Sequence, residues 1–89
     1  MVKQQDAVFR QAYPAPPYWV VRFDVAYPPD PGTFVLADLG GPLREVLFPA
    51  TIDADRAGTV NGFTAMLPPH HSATRLLPGT TVNMLGPLG

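Results

Sequence analysis

The residues of this 89-residue chain whose types best suit chemistry are His70, His71 and Ser72, which stand side by side. Imidazoles ligate metals, and groups at the start of a short helix contact phosphate. Adjacent positions on a helix point in different directions, however, and the chain has no cysteine and only these two histidines. A solvent-exposed loop pair is therefore the better reading, and no metal site is assigned. Asp53 and Asp55 form a second candidate, a carboxylate pair for acid–base work. They fall in an expected hairpin loop over residues 53–58, where aspartates bond local amides, so the turn reading is preferred. Ser72, Thr74, Thr80 and Thr81 have no base at a motif spacing, and no nucleophilic triad follows. Tyr13, Tyr18 and Trp19 suit either stacking on a ring system or anchoring a partner; packing across a barrel end beside Pro16-Pro17 is the simpler use. No catalytic residue is assigned.

The elements that must position these groups are short. Twelve prolines and eight glycines punctuate the chain, and each interior proline removes an amide donor and breaks a helical turn. That excludes a helical bundle and favours strands joined by turns. Strands are expected over residues 7–12, 18–26, 33–39, 45–52, 59–67 and 80–85. In the second, Val21, Phe23 and Val25 alternate with Val20, Arg22 and Asp24, the period of a half-buried strand. Pro49 makes the fourth an edge, a bulge or a strand end. In the fifth, Phe63, Ala65 and Leu67 share one face, with Asn61 on the same side, and are expected to line a core. Residues 70–77 allow two helical turns with Ser72 as the N-cap. Six strands and one short helix make an all-β domain, and closure into a small antiparallel barrel hides a face and two edges that an open sheet would expose.

Composition narrows the function classes. The chain is long enough for one domain, spanning residues 1–89. Apolar residues make up 46% and charged ones 15%, which suits a globular protein rather than a disordered one. Six basic and seven acidic side chains give a formal charge of −1, with no basic stripe for nucleic acid. The absence of cysteine removes disulfides, thiolate nucleophiles and cysteine-ligated clusters. No apolar run approaches the roughly 20 residues needed to span a bilayer, and a soluble, cytoplasmic protein without a membrane partner is expected.

From residue 31 onward four stretches appear in a telling order: Pro31-Gly32-Thr33-Phe34-Val35, Pro42-Leu43-Arg44, Thr74-Arg75-Leu76-Leu77-Pro78-Gly79-Thr80 and Leu85-Gly86-Pro87-Leu88-Gly89. Together they resemble the N-terminal flavin-binding barrel of the dihydroorotate dehydrogenase electron-transfer subunit, in the ferredoxin–NADP reductase superfamily. At the level of strand order the resemblance covers nearly the whole chain. It implies a six-stranded Greek-key barrel that holds FAD. In the family a nicotinamide-binding domain and a cysteine-ligated iron–sulfur cluster follow; neither is expected here, so this polypeptide alone is not expected to be a complete reductase.

The sequence departs from the family at the flavin site. The family's fourth strand carries an Arg-x-Tyr-Ser type tetrad, often preceded by another arginine. Arg44 matches the preceding arginine, but Glu45 stands where the tetrad's arginine is expected and Phe48 where its serine is expected. The family's glycine-containing phosphate loop corresponds to a region, residues 63–74, that has no glycine and contains Pro68-Pro69. If a flavin is bound, the resemblance makes Arg44, Phe63, Ser72 and Thr74 its contacts, with Arg44 taking the phosphate charge. A carboxylate beside a diphosphate repels it, so no cofactor is expected, with FAD or FMN as the alternative. The expected function is a non-catalytic binding or assembly module that forms a homo-oligomer or meets a protein partner, and the alternative is the flavin-binding piece of a split oxidoreductase. Low surface charge favours the first, since it leaves apolar exterior for a partner.

Overall fold

The structure is a computed structural model that describes residues 2–30, 32–53 and 61–89. Seven strands form one sheet: β1 (Lys3–Ala15), β2 (Tyr18–Asp24), β3 (Phe34–Ala37), β4 (Glu45–Leu47), β5 (Pro49–Asp53), β6 (Gly62–Leu67) and β7 (Thr81–Leu88). Every pairing is antiparallel, in the order β4-β3-β7-β1-β2-β6-β5. All-β architecture is thus as expected. The strand count is seven rather than six, and the ladder does not close, because no pairing joins β4 to β5.

The seventh strand arises where Pro49 was expected to disturb the chain. The segment expected as one strand over 45–52 divides at Phe48; Pro49 has no N–H to give, and the register slips by one residue between Pro49 and Thr51. The two products lie at opposite edges of the sheet, yet only Phe48 separates them. Six interstrand steps in a flat sheet would put those edges roughly 29 Å apart. Two residues of chain span no more than about 7 Å. The sheet is therefore rolled until its edges come within one residue of each other.

The rolled interior holds the core. Phe9 of β1, Val21 and Phe23 of β2, Val35 and Ala37 of β3, Leu47 of β4, Phe63, Ala65 and Leu67 of β6, and Val82 and Met84 of β7 are buried. Three rings run through its centre, Phe9 edge-on to Phe23 and Phe23 stacked on Phe63, each pair with centroids 5.6 Å apart. The alternation expected for β2 and the inward face expected for β6 are those observed, with Val20 and Met66 on the outside. Such rings stabilise by burial, about 1.5–3 kcal/mol for each side chain, and by edge and stacking contacts beyond that.

The helix over 70–77 is shorter than expected: a 3-10 helix of four residues, Ser72–Arg75, whose N-cap is His71 rather than Ser72. Both flanking residues are extended. Ala73 is buried and Leu76 packs against the core, and this three-residue repeat suits the tighter helix. Pro78-Gly79 then turns the chain into β7, with Gly79 at φ +91, a conformation that costs a glycine nothing. Among the described residues no helix is long and apolar enough to cross a membrane. The expected hairpin loop, with Asp55 and the start of the expected fifth strand, lies outside the described residues apart from Asp53.

Candidate functional site

Arg44 precedes β4, and the pairing of Ala37 with Glu45 sets it beside the end of β3. From there its guanidinium reaches across β3 to β7. It donates to the Leu36 carbonyl at 3.0 Å, the Asn83 carbonyl at 3.3 Å and the Asn83 Oδ1 at 2.6 Å. Asn83 is the hub of this network: its Oδ1 also accepts from Gln4 Nε2 at 2.8 Å, and its Nδ2 donates to Asp6 Oδ1 at 3.0 Å. Four elements are tied together by one half-buried cation and one amide. A depression of about 400 Å³ beside Asn83 is walled by Asp6, Asp38, Leu39, Leu76 and Thr81; one oxygen of Asp38 already accepts the Gly40 N–H, at 3.0 Å.

Glu45, the next residue, turns elsewhere. Its Oε1 lies 3.4 Å from Nε2 of His71, at the head of the 3-10 helix. The other ring nitrogen, Nδ1, accepts the Ala73 N–H at 3.1 Å. That bond assigns the tautomer: Nδ1 bears a lone pair, and in the neutral ring Nε2 carries the proton and presents it to the carboxylate. One nitrogen of His71 thus accepts a backbone amide N–H and the other faces a carboxylate. His70 is exposed.

The four residues that the resemblance singles out have different surroundings. Arg44 is committed to β3 and β7. Phe63 has no accessible surface and stacks on Phe23 inside the sheet, so its ring cannot lie against a ligand. Ser72 is exposed on the 3-10 helix, while the Thr74 hydroxyl donates to the His71 carbonyl at 2.7 Å. Sequence reasoning missed the two contacts that matter here, Glu45 with His71 and Arg44 with Asn83. Glu45 was marked as a departure, but nothing in the spacing shows its partner 26 residues on.

Elsewhere on the outer surface, Asp53 is described while its candidate companion Asp55 is not. Asp53 accepts from Arg22, which also faces Asp24 at 3.5 Å, and Asp24 pairs in turn with Arg10. Trp19 is half-buried opposite Leu67 at the end of the core, as packing requires, whereas Tyr13 and Tyr18 are exposed. Among the described residues no three His, Asp or Glu side chains stand close enough together to hold a metal ion. Comparison with known proteins places the chain nowhere: no family model matches it, and neither the curated proteins nor the solved structures contain a match.

Proposed function

We propose that this chain is a non-catalytic binding or assembly module built on a flavin-reductase type of barrel, in which β4 and β5 are the two halves of one bent strand and the count of six is recovered. The observation that carries the reading is the Glu45–His71 contact. In the resembled family the strand carrying Glu45 and the loop leading into the short helix jointly receive a diphosphate. Here the two segments that the resemblance equates with those bring Oε1 of Glu45 within 3.4 Å of Nε2 of His71. The Ala73 N–H, one of the amides that would greet an anion at the helix start, is already given to His71 Nδ1. An incoming diphosphate would face negative charge and a used donor.

The test is optical. Purified chain is incubated with excess FAD or FMN, desalted, and scanned for flavin absorbance and quenched flavin fluorescence. The expected result is no retained flavin, for the wild type and for Glu45→Gln alike, since removing the charge frees neither the amide nor the Arg44 guanidinium. Stoichiometric flavin on the wild-type chain would overturn the reading in favour of the electron-transfer alternative.

A further inference from the structure

The outer surface carries an apolar belt that crosses the open seam of the sheet. Register places Tyr13 of β1 opposite Val20 of β2, and Val20 opposite Met66 of β6. The β5–β6 ladder ends at Pro49 opposite Ala65, and Phe48 and Met66 are the residues that come next along the two segments. Beyond the seam the Phe48 ring meets Phe34 of β3 with centroids 5.6 Å apart, and Val46 lies on the same outward face. Among the described residues nine large apolar side chains are exposed, and five belong to this belt: Tyr13, Tyr18, Val46, Phe48 and Met66, with Phe48 65% exposed. The belt has no ionised side chain, and it coincides with the place where β4 and β5 leave strand edges unpaired. These are two independent features of one surface, and either by itself invites association.

We propose that a second copy of this chain covers the belt, the two copies meeting face to face about a two-fold axis near Phe48. The inference rests on the reading of the chain as an assembly module and names its partner. Charge offers no obstacle, since each copy carries a formal −1 and two such copies repel weakly. Area matches as well. Five half-exposed side chains of this size present roughly 500 Å² of apolar surface. A standard interface buries about 800 Å² on each side, of which about 65% is apolar at its core, again roughly 500 Å². A two-fold contact uses the same patch twice and closes on itself, so the belt is consumed without leading to fibres.

Sedimentation equilibrium on the full chain tests this, over protein concentrations from about 1 to 100 µM. The expected result is a monomer–dimer equilibrium for the wild type, weakened at least tenfold by Phe48→Glu, at the seam, and by Met66→Lys, on β6. Leu77→Glu, at a side chain 75% exposed outside the belt, leaves the equilibrium unchanged. Far-UV circular dichroism shows that each variant is folded; should Phe48→Glu unfold, Met66→Lys carries the test. A wild type that remains monomeric throughout, or a dimer indifferent to both belt variants, overturns the proposal. Flavin absorbance read on the same samples separates the two readings: a flavin-free monomer defeats the second copy alone, and a flavin-bound dimer defeats the non-catalytic reading alone.

Discussion

The outer faces of β1, β2 and β6 are divided into two halves that sit only a few residues apart and are built on opposite principles. In one half Arg10, Asp24, Arg22 and Asp53 form a chain of alternating charge across the strands. In the other half Tyr13, Val20 and Met66 form an apolar row with no charged member. The charged half answers its own needs, since every ion in it faces an opposite ion of the same chain. The apolar half has nothing of the sort. A surface that neutralises itself has no use for a partner, whereas one that leaves aromatic and thioether groups in water gains from being covered.

The charged half depends on a missing side chain. Gly62 pairs with Asp24 on one side and Asp53 on the other, and the Arg22 guanidinium lies over it to reach both. A Cβ at Gly62 would come within 2.3 Å of the Phe23 carbonyl oxygen and 2.6 Å of Arg22 Nη2. The arginine can swing away but the backbone carbonyl cannot. Gly62→Ala is expected to cost about 3 kcal/mol, the upper range for overpacking, because β6 must shift from β2. Urea denaturation measures it, and a variant within 0.5 kcal/mol of wild type would mean that β2 and β6 are not in this close register.

Much of this was legible beforehand and some was not, for reasons that differ by residue. The inward positions of β2 and β6 follow from period-2 alternation, a local property that one strand displays by itself. The break at Phe48 was half legible: Pro49 announced a disturbance, but whether a bulge, an edge or two strands resulted depends on which neighbours each half finds. The length and cap of the short helix are not legible in the sequence, because the pull of Ala73 and Leu76 onto the core is tertiary. In the sequence Arg44 reads as a ligand for phosphate charge if a flavin is bound; only the folded chain shows that a residue 39 positions away occupies its fork. Pairings such as Glu45 with His71 have no periodic trace at all.

Arg22→Met separates the two halves next. It keeps the aliphatic stem over Gly62 but leaves Asp24 and Asp53 facing each other without a cation between them. The Arg22 side chain is only 18% exposed and that of Asp24 14%, so the loss exceeds that of a surface pair, about 1–2 kcal/mol. Arg10→Met, at a side chain 54% exposed, costs about 0.5 kcal/mol or less. Salt sharpens the distinction. Added sodium chloride screens attraction in the wild type and repulsion in Arg22→Met, so the stability gap between them narrows as ionic strength rises. Denaturation midpoints at low and high salt give the answer, and a gap that widened would mean that the two carboxylates are not held apart by this guanidinium.

In the apolar half the smallest effect on the isolated fold is expected, and its size depends on protein concentration. Met66→Ser removes a side chain that is 51% exposed and that the core does not need. In dilute solution, where the chain is monomeric, the change in unfolding free energy stays within about 0.5 kcal/mol. As concentration rises the wild type gains stability by mass action, since a second copy binds the folded state and not the unfolded one. Its melting temperature therefore climbs with concentration, while that of Met66→Ser stays nearly flat. Arg10→Met climbs in parallel with the wild type, because its change lies in the half that needs no partner. Thermal scans of the three proteins over a hundredfold concentration range decide the matter. Parallel curves for wild type and Met66→Ser would erase the distinction between the two halves.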